Sequence, residues 1–483
     1  MTYSPLQLFQ LFFSTSVVKT IVDHTNKYAE NKAATKPSYK WVPLSVREFY
    51  SYIAIVIYMG MVKLKSLADY WSGKEYYRLH YTAKVMTGKR FLSISSNLHL
   101  CDPEQDEENT KRKGTPTYDR LFKIKPLYTE LVAACQTYFQ PNREISIDER
   151  MVASKARIGL KQYMKAKPTK WGYKIFVLAD SATGYTWNFF IYEGKQSIPS
   201  GQGLSYDSVM ALMDFALLGK GYHVYVDNFY TSPMLFLDLL RKGTLACGTI
   251  RANQQDFPKT KINDLSKGAK RGSIRWHRRG RLLFVKWMDT REVSVCSTMH
   301  GVYDGDTVLR RVKNKQGVWS KISVPVPAAV KAYNKHMGGV DLSDALISYY
   351  NVLHKAIKWY KTFFYHFIDI AIVNSFLLHK EISREIPTQK LFRERLMSEL
   401  VAFSKQTTQD EPASSRPAKT EQCLPAYYSN DSTAVRQSCV MCKKPGVKVK
   451  TPIYCTKCNV PLCIVAKRNC FYNWHKMGHH KNL

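Results

Sequence analysis

Acidic residues are scarce in this chain. Its 483 residues hold 38 Asp plus Glu against 72 Lys plus Arg, a formal charge of +34. Such a surplus disfavours basic partners and attracts polyanions, of which nucleic acid is the most abundant inside a cell. Long apolar runs are also missing. Tyr52–Val62 is about half the roughly 20 residues that span a bilayer. The stretch from Phe363 to Leu378 is interrupted by His366, Asp369 and Asn374. No membrane partner is therefore expected. Met1 to Leu11 lacks a basic leader and a small-residue cleavage site, so an intracellular, thiol-reducing setting is expected. Gly201-Gln-Gly203 has Tyr206 where a third glycine would stand, and no Walker loop, HExxH or GxSxG occurs. Cysteine is sparse up to residue 420: Cys101, Cys135, Cys247 and Cys296 are scattered, and the other seven of the 11 lie between Cys423 and Cys470. Crowding at one end points to a metal site rather than a disulfide framework.

What is present argues for a folded chain. Hydrophobic residues make up 45% and aromatics 13%, enough to exclude disorder of the whole. The length suggests roughly three domains. Three acid-free basic runs stand out: Lys155 to Lys174, Lys267 to Arg281 and Arg310 to Lys321. One such run is commonly a solvated face. Three together favour a surface that tracks phosphates. Interleaved aromatics such as Trp171, Trp276 and Trp319 could stack on bases, although packing within strands is the commoner role.

Texture changes along the chain give the domain expectations. Residues 1–117 read as helical, with Ser45 as an N-cap and Asp102 to Asn109 as a mobile acidic loop. Tyr118 to Phe139 reads as one amphipathic helix. Residues 118–251 then alternate between β-branched or aromatic stretches and helices, a mixed α/β order. Residues 252–328 read as a separate β-rich block, residues 329–405 as helical, 406–437 as a flexible linker and 438–483 as a cysteine-rich module.

Two aspartates fall at predicted strand ends. In EISIDERM and HVYVDNFYTS, Asp148 and Asp227 take the parity opposite the flanking Ile and Val residues, at the C-terminal edge. Gly338-Gly339 precedes Asp341 and Asp344, which share a helix face at i, i+3. Each residue singly could be a turn or cap. Together they suggest a carboxylate cluster, which repels itself unless cations neutralise it. Mg²⁺ or Mn²⁺ suits such oxygen ligands, and two ions can clamp the attacking and leaving oxygens of a phosphodiester displacement.

The cysteine-rich tail suits tetrahedral Zn²⁺. Two interleaved sites are expected: Cys439 and Cys442 with Cys463 and Cys470, and Cys455 and Cys458 with His475 and His479 or His480. A one-zinc ribbon on the two CxxC pairs is the smaller alternative. Cys423 is assigned to the linker and not to a ligand set. A tail this short has little core, so the metal would largely fold it.

The blocks SIDERM, KPTKWGYK, DSATGY, VDNFYTS, HMGGVDLSD and KWYKTFFYHFIDIAIVNS, in that order and followed by the Cys/His tail, resemble the piggyBac family of transposases. The resemblance runs from about Leu6 to His480. It implies a ribonuclease-H-like catalytic domain carrying a β-rich insertion domain, with a helical N-terminal region and a small cross-braced zinc module. It implies catalytic, metal-holding roles for Asp148, Asp227, Asp341 and Asp344, and two divalent ions. The implied chemistry is nicking at element ends, hairpin formation and joining at TTAA sites, by a homodimer in the nucleus acting on double-stranded DNA. It places Trp359 near the active site. Lys167, Lys170, Lys174, Arg275, Arg278 and Arg279 are the candidate DNA contacts. Three places depart from the pattern: Arg150 after SIDE, His354 and Ala356 before Trp359, and Lys165. The chain also begins close to the first block, where many members carry a long arm. Two other readings are a catalytically silent DNA-binding derivative and a zinc-module interaction protein. The tail has no acid after Asp431, which favours DNA over a basic histone peptide.

Overall fold

The computed structural model describes residues 3–36, 38–77, 79–165, 167–194, 200–313, 316–352, 356, 358–383, 387–406, 423–428, 435–442, 449–465 and 468–477. It divides into two compact units, Met1–Lys405 and Gln406–Leu483.

The first unit opens with helices α1 (Pro5–Gln10), α2 (Thr15–Thr35), α3 (Val46–Met61), α4 (His80–Val85), α5 (Gly88–Asn97), α6 (Pro103–Lys111) and α7 (Lys125–Thr137). Ser45 caps α3 as expected, its hydroxyl accepting from the Glu48 amide. The acidic stretch predicted as a loop is instead α6. Asp102 accepts from the Glu104 and Gln105 amides, Pro103 sits in the first turn, and Glu104 and Asp106 lie at the positive end of the helix dipole. Its lack of apolar residues hid it from a periodicity argument, while its cap signals were legible. α7 begins seven residues later than the predicted helix.

The sheet follows: β1 (Glu144–Ala153), β2 (Lys161–Tyr163), β3 (Trp171–Asp180), β4 (Thr186–Ile191), α8 (Leu204–Leu212), α9 (Phe215–Leu218), β5 (His223–Val226), α10 (Pro233–Arg241), β6 (Leu245–Thr249), β7 (Ile274–Arg279), β8 (Leu282–Met288) and β9 (Glu292–Ser297). Among the described residues it has nine strands in the order β2-β3-β1-β5-β6-β9-β8-β7, with β4 also on β3. β1 is antiparallel to β3 and parallel to β5, and β5 is parallel to β6. The β-rich block expected to stand apart therefore continues this sheet through the β6–β9 pairing. Edge-to-edge hydrogen bonding across that pair satisfies backbone groups that a detached block would leave open. A hairpin, β10 (Thr307–Lys313) with β11 (Trp319–Pro325), pairs separately; β10 was not foreseen, because charge interrupts its apolar alternation.

Helices α11 (Ala328–His336), α12 (Gly339–Tyr349), α13 (Trp359–Ile382) and α14 (Gln389–Lys405) complete the unit. α13 is long and apolar enough to cross a membrane, and its apolar window is wholly buried inside the protein. Phe363, Phe364, Phe367, Ile368 and Ile372 form its core face, joined by Phe9, Phe13, Phe49 and Ile53 from the N-terminal helices. α12 packs across β1 and β3, which brings its two aspartates to the strands that carry the third.

The second unit has short antiparallel pairs: β12 (Pro425–Tyr427), β13 (Gln437–Ser438), β14 (Lys450–Thr451), β15 (Ile453–Cys455), β16 (Ile464–Val465) and β17 (Arg468–Asn469), then α15 (Cys470–Lys476). Its core is Cys439, Cys455, Leu462, Cys463 and Cys470, too little apolar surface to hold so short a chain unaided.

Candidate active site and metal centres

Asp148 lies in the middle of β1, not at its end. The notch that exposes it comes from the neighbouring strand. β5 stays paired with β1 only as far as Ile147 opposite Val226, and Asp227 then turns away. Asp148 and Asp227 thus each follow the last paired residues of two parallel strands, which run about 4.8 Å apart where they pair. The Asp227 turn is fixed by its own side chain, which accepts from the Phe229 amide at 2.8 Å, and by its carbonyl, which accepts from the Thr231 amide at 3.1 Å.

α12, packed across β1 and β3, supplies Asp341 and Asp344. The helix start lies close because Gly339 has no side chain: a Cβ there would stand 2.5 Å from Ser146 Oγ and 2.8 Å from the Asp180 carbonyl. Gly184, with φ of 76°, clears the next turn, where a Cβ would be 3.0 Å from the Ser343 amide.

The electrostatics follow from burial. Desolvation pushes the Asp148 carboxyl up to about 7; Lys167 opposes this and Glu149 adds to it. Burial also raises Asp227. Burial would raise Glu149 too, but Lys167 and Lys174 hold it below its ordinary value. Glu149 accepts from the Tyr230 hydroxyl at 3.0 Å. It is a site residue that the sequence reading did not single out, and its one sequence signal was its position beside Asp148.

Two basic residues predicted as DNA contacts lie inside this group. Lys167 Nζ is 3.9 Å from Asp148 and 3.5 Å from Glu149, and Asp148, Glu149 and Asp341 raise it against its own desolvation. Lys174 is buried, 4.5 Å from the Phe176 ring centre and 4.8 Å from that of Phe229, and burial lowers its pKa. Its side chain is enclosed among the acids of the site, Glu149 having the largest effect of them, so its charge meets carboxylates rather than open solvent. Lys170 is exposed, as are Arg275, Arg278 and Arg279 on the edge strand β7. Trp359 lines a cleft of about 430 Å³ with Tyr28, His99, Lys123, Arg157 and Lys358. A second cleft, about 530 Å³, is lined by Glu149, Lys167, Asp341, Asp344 and His366.

Arg150 makes the fourth acidic residue different from the others. Its guanidinium is buried, ion-paired through Nε to Asp344, and bonded through Nη2 to Ser343 at 2.8 Å and Thr186 at 3.4 Å. Asp344 already has a cation. Of the departures from the family pattern, His354 lies outside the described residues.

The carboxylates are hard-oxygen ligands that suit a divalent cation, and the Lys167 ammonium stands among them as a competing cation. Among the described residues, however, the sets of three or more His, Cys, Asp or Glu ligand atoms within 4.8 Å of one another are the two in the second unit. One is Cys439, Cys442, Cys463 and Cys470, as predicted. The other is Cys423, Cys455, Cys458 and His475. Cys423, assigned to the linker, is thus the fourth member of this set; His479 and His480, expected there, lie outside the described residues.

Residues 4–376 match the family model described as Transposase IS4. The human piggyBac transposable element-derived protein 3 is 26% identical over 468 residues, 95% of this chain and 74% of that protein. The human derived protein 2 is 26% identical over 426 residues, 86% of this chain and 68% of that one. A cryo-EM structure of the piggyBac transposase synaptic complex with hairpin DNA has the same fold, with a TM-score of 0.71 at 22% identity over 95% of this chain and 97% of that one.

Proposed function

This chain belongs to the piggyBac-type transposases of the Transposase IS4 family, and from that premise we propose that it cuts and joins DNA ends in a divalent-metal-dependent reaction. The observation that carries the proposal is the β1–β5 register, which ends one residue short of Asp148 and Asp227 while α12, packed on β1, carries Asp341. The mixed sheet order, antiparallel on one side of β1 and parallel on the other, supports a ribonuclease-H-like reading of the catalytic region.

In this reading Asp148, Asp227 and Asp341 hold Mg²⁺ or Mn²⁺. When bound, these ions polarise the scissile phosphate and activate the attacking oxygen. The chain's residues orient that exchange. Asp227 is pinned by its turn, Asp341 by the glycine-cleared helix start, and Lys167 neutralises the acids until a cation replaces it. Water first opens the phosphodiester at the element end and leaves a 3′-hydroxyl. That hydroxyl attacks a phosphodiester of the opposite strand, closing a hairpin and expelling the flanking strand's 3′-hydroxyl; water then opens the hairpin, and the freed 3′-hydroxyl joins at TTAA by displacing a target 3′-hydroxyl. Arg275, Arg278 and Arg279 on β7, with Lys170, supply phosphate contacts. The cysteine module holds zinc and binds terminal-repeat DNA. A homodimer in the nucleus completes the proposal.

The test is Mg²⁺-dependent cleavage of oligonucleotides bearing the flanking repeats, with Asp148→Asn, Asp227→Asn and Asp341→Asn alongside. Loss of products in all three supports the assignment; equal activity in wild type and variants refutes it. The Arg150–Asp344 pair favours a second reading, a silent DNA-binding derivative. Sequence-specific binding with neither nick nor hairpin would select it.

A further inference from the structure

We propose that Cys423 is the fourth ligand of the second zinc site, so that the module begins there and reaches back into the segment read as linker. The inference rests on the zinc-module reading above and concerns which side chains complete it.

The geometry is that of a metal-ready set. In a tetrahedral site with Zn–S of about 2.3 Å and Zn–N of about 2.0–2.1 Å, sulfurs stand about 3.8 Å apart and sulfur and nitrogen about 3.6 Å apart. Cys423 Sγ lies 3.8 Å from Cys458 Sγ. His475 Nε2 lies 3.3 Å from Cys455 Sγ and 3.5 Å from Cys458 Sγ. The first spacing is far beyond the roughly 2.05 Å of a disulfide, so these are separate thiols facing one point. His475 is oriented for the role: its Nδ1 is 2.7 Å from the Phe471 carbonyl, which fixes the proton on Nδ1 and leaves Nε2 with a lone pair.

Cys423 is also held in place by its own backbone. Leu424 donates to Thr456 Oγ1 at 3.1 Å and its carbonyl accepts from the Thr456 amide at 2.9 Å. β12 then pairs with β15, with Pro425 opposite Cys455. The thiol thus stands two residues before a strand that is attached beside the CxxC it completes. The complementary site needs no such addition, since Cys442 lies 3.7 Å from Cys463 and 3.4 Å from Cys470.

The consequence is a shorter tether. Between Lys405 and the first ligand stand residues 406–422 rather than 406–438. At about 3.3–3.6 Å per residue the maximum reach falls from about 110–120 Å to about 60 Å. That limits how far from the catalytic unit the module can engage DNA while zinc is bound, and losing the metal would lengthen the reach.

The experiment uses the full chain, with metal counted by elemental analysis and the thiolate–cobalt absorption band read after Co²⁺ exchange. Two ions and seven thiolates are expected in wild type. In Cys423→Ser the band should fall by about one seventh, and one ion should become removable by a chelator that leaves wild type loaded. Cys423→His should keep both ions with the lowered band, and His479→Ala combined with His480→Ala should match wild type. An unchanged band and two retained ions in Cys423→Ser, or loss of one ion in the double histidine variant, would overturn this inference alone. A wild-type chain that binds no zinc would overturn the module reading with it.

Discussion

Arg150 on β1 and Asp344 on α12 form an ion pair whose two ends live in different solvents: the arginine side chain is 3% exposed and the aspartate 39%. The guanidinium depends on the carboxylate far more than the reverse. Removing the carboxylate would leave a buried, uncompensated charge, whereas removing the guanidinium would leave a carboxylate that water already reaches.

That asymmetry gives the first prediction. Asp344→Ala, which strands Arg150, should cost about 3–5 kcal/mol in urea unfolding. Arg150→Met should cost less, because the Asp344 it leaves is part-exposed and can be solvated, and should tighten Mn²⁺ binding by freeing the fourth carboxylate. Equal destabilisation by the two variants would contradict the pairing.

Gly339→Ala should act through packing. The added methyl meets Ser146 Oγ, which can rotate, and the Asp180 carbonyl and Ser181 Cα, which cannot. A cost of about 1–3 kcal/mol is expected, and DNA cleavage should fall more steeply than thermal stability because Asp341 moves with the helix. Wild-type cleavage would show that the α12 start tolerates displacement.

Lys170 and Lys174 should separate by salt dependence. Exposed Lys170→Ala should weaken DNA binding and reduce the log Kd against log[salt] slope by about one. Lys174→Met, inside its aromatic cage, should alter stability and leave that slope unchanged. A reduced slope for Lys174→Met would restore it as a phosphate contact.

Asp369 provides the pH dependence. It is fully buried on α13, and burial pushes it to about 7, opposed by Arg393 and by the Val352 amide. A carboxyl raised from its ordinary value near 3.9 stabilises fully below that value and loses its contribution as pH rises through 7. Wild type should lose up to about 1.4 kcal/mol per pH unit across this window. Asp369→Asn should show a flatter curve by chemical denaturation; parallel curves would disprove the assignment.

Much of this molecule was legible without coordinates. The Ser45 cap, the Cys439/Cys442/Cys463/Cys470 set and the family blocks all rest on local spacing and side-chain chemistry, which travel with the chain. Glu149 was not singled out, and Lys174 was read only as a DNA contact, because strand parity says which residues share a face but not what a neighbour brings against it. α6 was missed because its signal lies in caps and not in apolar periodicity.

The sequence alone determined which groups exist: the four aspartates, the thiols, the basic surplus and the strand and helix periods that carry them. Tertiary structure alone decided which of them meet. The end of β5 exposes Asp148, the close α12 start delivers Asp341, Arg150 captures Asp344, and β12 brings Cys423 to the second metal set. Each of these depends on a contact between segments far apart along the chain, where distance is set by packing and strand register, and no local pattern encodes a distance.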